Sequence, residues 1–154
     1  KIGSNTTNNI ENQQINIHIN KYGKENLDYI TEEFLLKILK GPYNAVQKLI
    51  KHIHFNPKHP ENCNIKITNK KQPYIKVFLG NDWKLKDKNE LIKNMVDDRY
   101  NMIDSEFDKQ ENKLSETQKK RYINFQKKYD NRDKKLIKEL NKDIEIEILN
   151  NKTE

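Results

Sequence analysis

Residues 41–65 read as a helix with a marked start and stop, then a polar loop stiffened by prolines, then the opening of a strand. Pro42 suits a first helical turn, where its missing N–H costs no hydrogen bond. Tyr43, Val46, Leu49, Ile50 and Ile53 recur at helical spacing and leave Lys48 and Lys51 on wetter faces. Asn56-Pro57 closes the helix, because a residue before proline is pushed out of the α region. From Ile65 and Ile67 onward the apolar period becomes two, which is that of a half-buried strand. A chain that changes period in this way needs a helix packed on a sheet.

The flanking segments extend the same pattern. Ile15, Ile17 and Ile19 alternate with Asn16, His18 and Asn20 and predict a strand that stops at Tyr22-Gly23. Residues 1–14, mostly Asn, Thr, Gln and Ser, read as the end of a linker. Thr31 before Glu32-Glu33 marks a helix start, Leu35, Leu36 and Leu39 its apolar face, and Gly41 its end. After a turn over residues 68–73, the alternations Ile75, Val77, Leu79 and Trp83, Leu85 complete a three-stranded antiparallel meander.

Asp87 and Glu90 predict a capping box for a helix whose stripe runs Leu91, Ile92, Met95, Val96, Ile103 and Phe107 to about Gln110. That helix is longer than a small sheet can cover, so its later turns are expected to meet another element or another chain. Ser115 and Gln118 suggest a second box, and residues 116–150 fit an antiparallel helical pair or short coiled coil turning near Asp130-Asn131. The alternation of Ile144, Ile146 and Ile148 leaves a terminal strand open. The expected fold is α+β: a small antiparallel sheet packed on helices, with a C-terminal long-helix or helical-hairpin arm. Its parts are a linker end (1–14), an α+β domain (15–110) and a Lys-rich helical tail (111–154).

With 33% apolar and 34% charged residues, the core must be concentrated in a few segments. Lys and Arg outnumber Asp and Glu by 30 to 23, a formal charge of +7 that favours acidic partners such as nucleic acid. Arg occurs only at positions 99, 121 and 132, so the bidentate fork that reads guanine is scarce. One cysteine excludes an internal disulfide framework and fits a reducing compartment. No apolar run approaches the roughly 20 residues of a membrane span. The sequence opens on Lys1 without a signal-peptide core and reads as part of a longer protein.

Several runs carry a family resemblance. They are Phe55-Asn56-Pro57, His59-Pro60-Glu61-Asn62, Asn64-Ile65 leading to Ile67, then Tyr74, Gly80-Asn81, Trp83, and Lys86-Asp87-Lys88 before Glu90-Leu91-Ile92. With the Asn-rich approach to residues 23–30, they resemble the C-terminal domain of uncharacterised giant-virus proteins that often carry an N-terminal Cys2His2-type zinc finger. The resemblance spans roughly residues 15–110. It implies a Lys/Glu-rich helical tail, an upstream finger absent from these residues, and residence in host cytoplasm at the viral factory. A His often stands in that family where Cys63 stands here.

His52, His54, His59 and Cys63 fall within 12 residues, and three imidazoles with a thiolate suit zinc chemistry. Residues two apart on a helix project roughly 200° apart, however, and no zinc-finger spacing is present. No metal and no cofactor are expected, with His54, His59 and Cys63 the alternative set. Asp97 and Asp98 diverge on a helix, Asp82 and Asp87 sit in turn and cap positions, and no phosphate loop exists, so no enzyme is expected; a metal-dependent nuclease is the third reading. The first reading is a non-enzymatic self-association module, a homo-oligomer joined through Ile15, Ile17, Ile19, Ile103 and Phe107, which would raise the avidity of upstream fingers. The second is direct, largely non-specific nucleic-acid binding by the basic meander. There Lys66, Lys70, Lys71, Lys76, Lys84, Lys86 and Lys88 interleave with Tyr74, Phe78 and Trp83, and the chosen contacts are Lys70, Lys71, Lys84, Lys86 and Trp83. Neither membrane nor small-molecule substrate is predicted.

Overall fold

The computed structural model describes residues 18–151. Thr31 caps α1 (Glu32–Leu39): its hydroxyl accepts from the Phe34 N–H, and Glu32 and Glu33 sit at the positive end of the helix dipole. Pro42 opens a 3-10 turn, Pro42–Asn44, that feeds α2 (Ala45–His54). Val46, Leu49, Ile50 and Ile53 are fully buried on the inner face of α2, as their spacing predicts. A second short turn, Pro60–Asn62, leads to the sheet.

The sheet is the predicted meander. Strands β1 (Ile65–Lys66), β2 (Tyr74–Phe78) and β3 (Trp83–Asp87) run antiparallel in that order. Ile75 and Val77 point into the core and are fully buried. Asp87 ends β3 and caps α3 (Lys88–Gln110), its carboxylate accepting from the Glu90 N–H. Helix and sheet are thereby joined with no intervening loop.

Helix α4 (Glu116–Asp130) begins with the predicted capping box: Ser115 Oγ accepts from Gln118 N–H, and Gln118 Oε1 accepts from Ser115 N–H. The chain reverses through Arg132, at φ 53°, into α5 (Lys134–Asn150). Ile144 and Ile148 are buried there while Ile146 is exposed, the one-turn spacing of a helix face; the alternative of a terminal strand is not realised. The architecture is α+β.

The described structure bears on two further expectations. Ile15 and Ile17 lie outside the described residues, and Ile19 belongs to no strand. The segment after Ile19 instead meets the sheet through one backbone bond, Tyr22 N–H to Phe78 O at 2.8 Å, before turning at Gly23 with φ 91°. Residues 111–150, expected as a C-terminal long-helix or helical-hairpin arm, form a helical hairpin that shares the core of the preceding residues: one buried cluster runs from Leu35 to Ile148 and includes Tyr122, Phe125, Leu140 and Ile144.

Candidate nucleic-acid interface

The loop rich in histidine disperses its ligand-type side chains. His54 is fully buried, whereas His52 stacks on Phe34 (3.9 Å between centroids) and His59 on Tyr29 (3.5 Å). Cys63 is half-buried, and burial raises its thiol above the ordinary range, although Lys66 opposes that shift. The alternative metal set His54, His59 and Cys63 is therefore not brought together. Among the described residues no three His, Cys, Asp or Glu side chains converge as a metal-holding group.

The loop's asparagines instead tie the N-terminal segment to the core. Asn62 Oδ1 accepts from Asn26 N–H (2.9 Å) and Asn62 Nδ2 donates to Asn26 O (2.7 Å), a side chain acting as a strand partner. Asn64 Nδ2 donates to Asn20 O and to Glu25 Oε2, which fixes the amide orientation and leaves Asn64 Oδ1 to accept from His54. His54 Nδ1 must carry the proton, since its other partner is the Asn62 carbonyl. Its Nε2 is then an acceptor, buried without a partner among the described residues.

Burial pushes His54 down to about 4, with nearby Glu25 pulling the other way. The unfolded imidazole titrates near 6.5, so the unfolded chain binds the extra proton first as pH falls. The contribution of neutral His54 is complete above about pH 6.5 and is lost progressively toward pH 4, about 3 kcal/mol in all. His52 is lowered too, by burial and then His59, and acts with the same sign. Urea unfolding of His54→Gln should show a smaller stability loss between pH 7 and pH 4.5 than the parent chain; equal losses would remove His54 as the cause.

Three of the acids considered for a nuclease are occupied separately. Asp97 Oδ1 accepts from both Tyr129 Oη and Arg132, and these bonds outweigh burial to hold its carboxyl below the usual range. Asp82 pairs with Lys84 at 3.3 Å, and Asp87 is the α3 cap.

Register decides what the meander presents. Residues paired across antiparallel strands share a face. Ile65, Val77 and Lys84 form one such row and Ile75 with Lys86 another, so Lys84 and Lys86 lie on the core side, exposed only because β3 is the free edge. The opposite, outer face carries Lys66 beside Lys76 beside Leu85, Phe78 beside Trp83, and Tyr74 beside Asp87. The expected patch of Lys84, Lys86 and Trp83 is therefore split between two faces. Lys70 and Lys71 are exposed on the β1–β2 turn, at the Tyr74 end of the sheet and away from Trp83.

On the outer face Lys66 Nζ stands 4.1 Å from the Trp83 ring centre, and Phe78 lies 5.5 Å from Trp83 at a 57° tilt. Tyr74 is 48% and Leu85 60% exposed, large values for such side chains on a strand. Alternation in β2 and β3 signalled this face; the pairing register, which sequence did not provide, decides which lysines join it.

Ile103 and Phe107, expected to meet a second copy, are buried within the chain. Phe107 stacks on Tyr122 of α4 at 4.1 Å and 14°, and the long helix packs within its own chain on α1, α2 and α5. Comparison with protein-family models, curated proteins and solved structures found no match. Among the described residues no helix is long and apolar enough to cross a membrane.

Proposed function

We propose that this chain is a non-enzymatic nucleic-acid-binding module that holds single-stranded DNA or RNA on the outer face of its sheet. The observation that carries the reading is the register that gathers Tyr74, Phe78 and Trp83 with Lys66 and Lys76 on one face. Aromatic side chains stack bases of any sequence, and lysines beside them track the phosphates. The charge of +7 adds long-range attraction. A base seated on Trp83 would displace Lys66 from the ring and leave its ammonium free for the adjoining phosphate.

Trp83 is the sole tryptophan, so its fluorescence reports on the face directly. Oligo-dT and a mixed-sequence RNA strand are expected to quench it saturably, with similar affinities and steep salt dependence. Trp83→Ala, followed by anisotropy of a labelled strand, should weaken binding by about 1–3 kcal/mol. Lys66→Gln and Lys76→Gln should each reduce the salt slope by about 0.7, whereas Lys84→Gln with Lys86→Gln should do less. Absence of quenching, or a larger loss from the edge lysines than from Lys66 and Lys76, would defeat the reading.

A further inference from the structure

A second charged concavity lies away from the sheet, between α1 and α2. Its volume is about 480 Å³, and Phe34, Ile38, Phe55 and Pro57 supply its apolar lining. Lys37, Lys48, Lys51 and Lys58 surround it, all exposed. Among the described residues no Asp or Glu lines it. None of these four lysines forms an ion pair among the described residues. The larger groove between α3 and α5, about 850 Å³, differs in this respect: Asp97 and Glu145 line it and bind Arg132 and Lys88.

We propose that the α1–α2 cleft docks a short acidic segment of a partner protein that carries one large apolar side chain. The charge pattern selects an anionic occupant, since four cations with no carboxylate among the lining repel one another until an acid meets them. The floor selects an apolar anchor. A nucleic-acid strand fits less well, because one face of Phe34 is already stacked on His52 at 3.9 Å. The Asn56 side-chain oxygen accepts from the Lys58 N–H (3.0 Å), which leaves few groups to read a base edge. An acidic segment with a Phe or Leu anchor uses both properties: the ring fills the floor and flanking carboxylates reach the lysines.

The test is a titration of isotope-labelled protein with a synthetic acidic peptide of about ten residues holding one central Phe, followed by amide chemical shifts and peptide anisotropy. Saturable binding is expected, with shifts concentrated in α1, α2 and residues 55–58. Replacing the peptide's Phe by Ala should weaken it about tenfold, as should the exposed charge reversal Lys48→Glu with Lys51→Glu. Lys66→Gln with Lys76→Gln on the sheet should leave peptide affinity unchanged, so this result is separable from failure of the nucleic-acid reading. Equal thermal midpoints would show that the reversed chain remains folded. No saturation at millimolar peptide, indifference to the anchor or to charge reversal, or displacement of the peptide from this cleft by oligo-dT would each overturn the proposal.

Discussion

A chain ending at Gln110 is expected to lose its cooperative thermal transition. The reason is that α3 has an inner face along its whole length, while the sheet covers only its first turns. Tyr100, Ile103 and Phe107 are buried, with Tyr100 stacked on Tyr129 of α4 at 3.7 Å and Phe107 on Tyr122. The two helices also contribute Phe125, Leu136, Leu140, Ile144 and Ile148 to the same core. Polar anchors reinforce the contact: Tyr122 Oη and Gln126 Nε2 both donate to Asp104 Oδ1 at 2.8 Å. Burial of each large side chain is worth roughly 1.5–3 kcal/mol. Loss of seven or more, roughly 10–20 kcal/mol, is as large as a typical whole-domain stability of about 5–15 kcal/mol. Circular dichroism should show a broad, shallow melt, and a sharp transition near that of the parent chain would establish residues 15–110 as an independent domain.

The same contacts explain which parts of the fold were legible in sequence. Helix caps at Thr31, Asp87 and Ser115 and the alternation in β2 are local signals, and all three caps and the meander follow them. The stripe of α3 was equally legible, but not what covers it, because periodicity identifies an apolar face without naming its partner. Ile103 and Phe107 could equally have met a second copy. The outer sheet face was half legible for a related reason. Lys66 and Lys76 stood among the basic residues, yet only pairing register shows that they share a face with Trp83 while Lys84 and Lys86 do not. Asn20, Asn62 and Asn64 left no usable signal, since an asparagine hub has the composition of a solvated loop. Glu25 and Arg99 are 74 positions apart, and nothing local pairs them.

That pair should make Arg99→Met one of the most damaging single substitutions in the protein. Arg99 Nη2 donates to Glu25 Oε1 at 3.1 Å, and the side chains are only 15% and 3% exposed. Glu25 Oε2 is held by Gly23 N–H at 2.8 Å and Asn64 Nδ2 at 2.7 Å, so the carboxylate cannot swing out to water without releasing the turn and the asparagine hub. Removing the guanidinium strands a buried anion, which costs about 3–5 kcal/mol. Glu25→Gln should cost less, because its amide oxygen can keep accepting from Asn64 and Arg99 has more access to solvent. The double variant, Glu25→Gln with Arg99→Met, should recover part of the loss seen with Arg99→Met alone, since no uncompensated charge remains buried. Urea unfolding of the four chains at pH 7 measures this coupling. Additive losses in the double variant, or an Arg99→Met cost below about 1 kcal/mol, would show that Glu25 reaches water in solution and that the pair contributes no more than a surface salt bridge.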